Sequence, residues 1–220
     1  RGMQKCRPLA PEEIRRLLDA CRADSSWKGE RDLLLIALMA IRGLRASEVV
    51  AIAKRYVRDR NGVARASFVL PKYYTKQEHG NCLVVLPRGL RDLAERVARR
   101  RMRKGRGFES PALFRSRRGC ALGRKDVWRI VKARCAEAGV DPQRVGPHSF
   151  RRSLGRALNS EEGEAAAERL LGIRVEGLVL AQRALRHSNA KITRIYLEDA
   201  TEEQAAEVAA AMLAHELGFD

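Results

Sequence analysis

The run Leu33–Ile41 (LLLIALMAI) is apolar on every side, and it limits the folds open to this chain more than any other stretch. A helix with no polar face cannot lie on a surface and needs apolar neighbours all round. The run is also far shorter than the roughly 20 residues that span a bilayer. It is therefore expected to be the central helix of a layered domain, running from about Gly29 to a C-terminal cap at Gly43. Helices with one apolar face are predicted around it. Pro11-Glu12-Glu13 opens the first, with Ile14, Leu17, Leu18 and Cys21 on one side. Arg88–Arg103 turns Leu90, Leu93 and Val97 inward, and Arg124–Ala138 does the same with Val127, Ile130, Val131 and Cys135. A short helix ending near Ala53 follows Arg45, and from His148 onward the chain reads as helix broken at Gly163, Gly172, Gly177 and Ser188-Asn189.

One stretch changes period. Tyr56-Val57, an Asn61-Gly62 turn and Val63–Leu70 read as a hairpin. Leu83–Leu86 supplies another strand after the polar loop Tyr74–Asn81. The expected fold is mainly α with a small three-stranded antiparallel β-sheet (α+β). A chain of 220 residues is long enough to bury such a core.

Charge points to the partner. Lys+Arg number 44 against 27 Asp+Glu, a formal net charge of +17, and only nine of the 44 are lysine. Guanidinium forks match phosphate oxygens. A codon bias towards arginine would explain the ratio but not the net charge, so a nucleic acid is the expected partner. Aromatic residues make up only 5%, too few for a sheet that stacks single-stranded bases. Five scattered cysteines (Cys6, Cys21, Cys82, Cys120, Cys135) form no CxxC pair, which suits reduced thiols in a cytoplasmic protein with neither a disulfide framework nor a zinc site. No phosphate-cradling glycine loop is visible, and no cofactor or metal is expected.

Four groups of residues are suited to phosphate chemistry. Arg45 follows the Gly43 cap at a helix start, where backbone N–H groups favour an anion, and Glu48 is placed to hold its guanidinium. His148 opens a helix after Pro147 and shares a face with Arg151. His187 precedes Tyr196 by nine residues, which turn about 900° on one unbroken helix. The two converge only if the helix restarts at Ser188-Asn189. Lys76 lies in the polar loop, with Lys72 as its rival. Each also reads blandly when taken singly: a surface ion pair, a histidine in a basic helix, a core tyrosine ring, a solvated loop lysine.

Taken in order, the stretches IRGLRASEVVAI, YYTKQEHGNCLVVLP, GPHSFRRSL and ALRHSNAKITRIYLED resemble the catalytic domain of the tyrosine recombinases (phage-integrase family), from about Pro8 to the end. The resemblance implies that Arg45 and Arg151 clamp a scissile phosphate and that Lys76 protonates the leaving 5′ oxygen. It makes His148 and His187 attendants of the phosphate and its protons, Tyr196 the nucleophile of a 3′-phosphotyrosyl intermediate, and Glu48 the support of Arg45. It further implies a site-specific recombinase or integrase that acts on double-stranded DNA, needs neither metal nor ATP, is a monomer when free, and self-associates as a tetramer on paired sites at the nucleoid. The same chemistry serves type IB topoisomerase-like relaxation, and a non-catalytic DNA-binding relative would keep the basic face.

Three features depart from the family pattern. Arg186 stands where glycine usually precedes the second histidine. The stretch between Arg151 and His187 is longer than usual, with the excess at 159–177, where Glu161, Glu162, Glu164 and Glu168 mark an acidic surface insertion. No stretch reads as the helical DNA-clamping domain that usually comes first, so 1–220 is expected to be a single catalytic domain without it. Residues 201–220 open on Thr201-Glu202-Glu203 and carry a thin apolar stripe of Val208, Met212, Leu213 and Leu217. Such a helix is marginal alone in water. The resemblance implies docking on a neighbouring protomer, the alternative being packing on its own domain.

Overall fold

The computed structural model describes residues 6–71, 81–100, 110–172, 175–185 and 201–219. At its centre is α2 (Trp27–Arg42), with every residue from Leu33 to Arg42 buried. Each fully buried leucine there contributes about 2 kcal/mol of transfer free energy. Ser26 Oγ accepts the Lys28 N–H to start α2, and Gly43, in the left-handed region at φ 62°, ends it by donating its N–H to Met39 O. Packed directly on α2 are α1 (Pro11–Ala23), α5 (Arg88–Arg99), α7 (Pro147–Leu158) and α10 (Glu202–Leu217). The remaining helices are α3 (Ala46–Val50), α4 (Lys54–Val57), α6 (Arg124–Glu137), α8 (Glu161–Leu171) and α9 (Gly177–Leu185). Among the described residues no helix is long and apolar enough to cross a membrane.

The sheet has two strands among the described residues, not three. β1 (Ser67–Leu70) pairs antiparallel with β2 (Cys82–Val85), Ser67 opposite Val85 and Leu70 opposite Cys82. Phe68, Leu70, Cys82 and Val84 face the core. The expected first strand, Tyr56-Val57, is instead the end of α4, where the Tyr56 ring stacks on Phe68 at 6.0 Å. The Asn61-Gly62 turn does form, with Gly62 at φ 81°, but only Arg58 and Ala64 bridge across it. Two local causes stop the ladder. Asp59 Oδ1 takes the Val63 N–H at 2.8 Å, and Val63 is 61% exposed, so extending the strand would bury nothing.

Gly163 does not break a helix as expected. The break falls at Asn159-Ser160, and Ser160 Oγ caps α8 by accepting from Gly163 N. A Cβ at residue 163 would lie 2.5 Å from Leu158 O, so glycine there lets α8 close on the end of α7. Stretch 159–177 supplies core as well as acidic surface: Ala166 and Ala167 are buried, while Glu161, Glu162 and Glu168 are exposed.

The stripe of α10 is met within its own chain. Val208, Leu213 and Leu217 are buried with Ala205 and Ala209, and α10 packs on α2, α8, α9 and β2. Alanines let it approach closely. Its end is tied down as well: Arg22 Nη2 donates to Leu217 O at 2.7 Å and the Arg22 guanidinium lies 5.0 Å over the Phe219 ring.

Away from the sheet, a buried ionic cluster joins α1, α2 and α6. Arg134 donates to Asp32 at 2.9 Å, to Asp24 at 2.7 Å and to Glu137 at 2.7 Å, while Arg31 holds the other Asp32 oxygen at 2.8 Å. Hydrogen bonding from Ser26, then from Arg134, brings the Asp24 carboxyl down to about 2. Its stabilising contribution is complete above its ordinary value of 3.8 and is lost as pH falls through 2. Asp32→Ala leaves two buried guanidiniums without their shared carboxylate and should cost about 3–5 kcal/mol in urea unfolding. Asp24→Asn should flatten the acid limb of the stability profile.

Candidate functional site

The candidate site lies where the C-terminal end of α2 and the first turns of α7 meet Ala184 and Leu185 of α9. Past the Gly43 cap, buried Leu44 turns the chain so that Arg45 becomes the residue before α3. A Cβ on Gly43 would come within 2.8 Å of Leu185 Cδ2 and 3.0 Å of Leu154 Cδ2, so the glycine admits both neighbouring helices. Glu48 accepts from Arg45 twice, from its backbone N–H at 2.8 Å and from Nη1 at 2.8 Å. The Glu48 side chain is 0% exposed and that of Arg45 is 18%. A buried carboxylate thus fixes a guanidinium that still reaches the surface.

On α7, Gly146 is the N-cap and Pro147 the first helical residue, so His148 emerges at the helix start. Ser149 Oγ accepts from Gly146 N at 3.2 Å and stiffens this turn. One turn on, Arg151 is buried; its Nη1 donates to Gly43 O at 2.9 Å and its Nη2 to Leu185 O. Arg151 therefore joins the cap before Arg45 to the last residue of α9. His148 is exposed. Its pKa is nonetheless held below the ordinary 6.5, first by partial desolvation and then by the positive charges of Arg151, Arg45 and Arg152. Arg45, Glu48, His148 and Arg151 are brought together. Lys76, His187, Tyr196 and the unusual Arg186 lie outside the described residues.

Two further residues belong to this neighbourhood. Arg42 is 1% exposed. Its Nε donates to Leu83 O at 2.7 Å, its Nη1 to Ala184 O, and its Nη2 meets Glu202 Oε1 at 3.3 Å. The signal for it was a charged residue abutting a run apolar on all sides. Trp128, 41% exposed on α6, covers the N-cap of α7 so closely that a Cβ on Gly146 would lie 2.7 Å from its Cζ2. Lys132 Nζ sits 5.0 Å over the same ring. Arg117, Arg118, Arg124, Lys125 and Arg129 are exposed nearby in sequence. Chemically, a guanidinium oriented at the surface by Glu48, a second one buried behind it and an imidazole with a lowered pKa suit a phosphate that gains charge in its transition state. Among the described residues no His, Cys, Asp and Glu side chains cluster as a metal site.

The phage integrase family model matches residues 7–203. The tyrosine recombinase XerD of Xanthomonas axonopodis pv. citri is 29% identical over 188 residues, which cover 86% of this chain and 57% of that protein. XerH of Campylobacter jejuni is 24% identical over 189 residues, covering 86% and 47% respectively. The chain thus spans about half the length of these curated relatives. Among solved structures, the integrase from mycobacterium phage Brujita aligns with a TM-score of 0.60 at 20% identity, over 96% of this chain and 60% of that one. XerH in a post-cleavage complex with a palindromic difH substrate aligns with a TM-score of 0.60 at 19% identity, over 95% and 54%. Both share the fold.

The electrostatics of His148 can be checked directly. Because its folded pKa is lowered, acidification below its ordinary 6.5 penalises the folded state, and neutral pH carries no such penalty. An NMR titration should find His148 below 6.5, and Arg45→Gln should let it climb back towards that value.

Proposed function

The chain belongs to the phage integrase family, and from that membership we propose that it is a site-specific DNA strand transferase, a recombinase or integrase represented here by its catalytic portion. The Tyr196 hydroxyl attacks a backbone phosphorus, its proton passes to a neighbouring base, and the bond to the 5′ oxygen breaks as Lys76 protonates it. The product is a 3′-phosphotyrosyl bond. Attack by a 5′ hydroxyl of the same or another strand reverses the step, restores the phosphodiester and frees Tyr196. One phosphoester bond replaces another at each stage, so no ATP is required. Arg45 and Arg151 supply the positive charge on the non-bridging oxygens that a metal ion supplies in other phosphoryl transfers. His148, and His187 with it, attends the phosphate and its protons, which a tyrosine with an ordinary pKa near 10 requires.

The observation that carries this reading is the convergence of Arg45, backed by buried Glu48, with Arg151 and His148 at one junction of helix ends. The +17 net charge supports DNA as substrate and the nucleoid as its place of action. A difH substrate is bound in one of the aligned XerH structures. Self-association, as a tetramer on paired sites, belongs to the same reading.

Three measurements test it. A pool of nicked suicide duplexes with randomised centres should trap a covalent adduct that Tyr196→Phe abolishes while DNA binding persists. Adduct in that variant, or adduct mapped to Tyr56, Tyr73 or Tyr74, rejects the assignment. Arg151→Lys keeps the charge but loses the fork, and should slow cleavage by orders of magnitude, each tenfold worth about 1.4 kcal/mol, whereas Arg99→Lys should not. Affinity should fall steeply with salt, by roughly 10³–10⁵ between 50 and 200 mM if 6–10 phosphates are met. Relaxation of supercoiled plasmid without strand exchange between paired sites would redirect the reading to a topoisomerase-like enzyme.

A further inference from the structure

We propose that Arg42 is a positioning residue for strand cleavage, holding from inside the core the parts of the chain that flank the proposed catalytic residues. This rests on the proposed strand-transfer reading. Its one guanidinium reaches three separate places: Leu83 on β2, Ala184 at the end of α9, and Glu202 in the first turn of α10. Each has meaning along the chain. Leu83 lies just after the stretch 72–80, which contains Lys76. Ala184 lies three residues before His187, and Glu202 six residues after Tyr196. Arg42 itself stands three residues before Arg45, on the last turn of the most deeply buried helix. Arg151 makes a parallel connection, from Gly43 O to Leu185 O.

The physical consequence is a shared reference frame. Residues 184 and 202 bind one side chain, so the two points of the chain that bracket the stretch containing Tyr196 are fixed relative to each other and to α2. Confinement of a nucleophile is a large part of catalytic rate, and a displacement near 1 Å costs on the order of 10²-fold. A guanidinium can do this where an ammonium cannot, because its donors point along several fixed directions from a planar group. The link to Glu202 is the part that can be cut without opening the core. That carboxylate side chain is 33% exposed, whereas the Arg42 side chain is 2% exposed.

The test uses the nicked randomised duplexes and compares Glu202→Ala, Glu202→Gln and Arg42→Lys with a control, Glu203→Ala. Glu203 is exposed in the same helical turn, so the control removes an equal charge from the helix start without touching Arg42. Glu202→Ala should slow adduct formation at saturating DNA by roughly tenfold to a hundredfold, with DNA affinity and Tm matching those of the control. Glu202→Gln, which keeps an acceptor oxygen, should recover part of the rate, and Arg42→Lys should lose more than Glu202→Ala. Wild-type rates in Glu202→Ala and Arg42→Lys would overturn the proposal. So would rate losses that merely track a fall in Tm or DNA affinity. A wild-type protein that forms no adduct, or a Tyr196→Phe variant that does, would instead overturn the strand-transfer reading, and this inference with it.

Discussion

Two buried guanidiniums, Arg42 and Arg151, end on adjacent carbonyls, Ala184 and Leu185, and the architecture around the site depends on that pairing. Both carbonyls belong to buried residues, and a buried polar group away from water needs a partner. A buried cation carries the opposite problem, a desolvation penalty of several kcal/mol. Placed together the two needs offset each other. Gly43 O, the carbonyl at the cap of α2, is met by Arg151 in the same way. What looks like an expensive use of arginine is how α2, α7 and α9 come to meet in the interior.

That meeting point needs small residues as much as charges. Gly43 leaves room for Leu185 and Leu154, Gly146 for Trp128, and Gly163 for the carbonyl of Leu158. Only Gly43 among these also requires its left-handed backbone. The others are glycine because a methyl group would collide. A dense core around α2 then gives Arg45 and His148 a rigid base, while both remain at the surface where a polyanion can reach them.

Local signals were legible in the sequence and distant ones were not. The apolar run foretold a central helix because its burial is a property of the run alone. Arg45 and Glu48 are three residues apart, so their contact follows from helix geometry. His148 and Arg151 share a face as expected, yet one is exposed and the other buried, a difference set by α2 and α9. The missing third strand turned on local details: Tyr56-Val57 closes α4, Asp59 takes a backbone N–H that a ladder would have used, and Val63 is exposed. Gly163 looked like a break because its role is contact with a neighbouring helix end. The C-terminal stripe looked too thin to hold because alanine was counted as neutral, while in the packed chain it permits close approach. Arg42 showed only as a charge abutting the apolar run; its role was hidden because its partners lie 41, 142 and 160 residues away.

The placement of Trp128 has an optical consequence. The chain has two tryptophans. Trp27 lies under the Arg31 guanidinium at 5.0 Å, at the opposite end of α2 from the candidate site. Trp128 stands half in water against the very turn from which His148 emerges. Its emission colour is therefore sensitive to the hydration of that turn, as well as to the Lys132 charge over the ring, and an anion bound there would shift it by displacing water. With Trp27→Phe as background, the protein carries its own gauge of how wet its site is, with no dye attached.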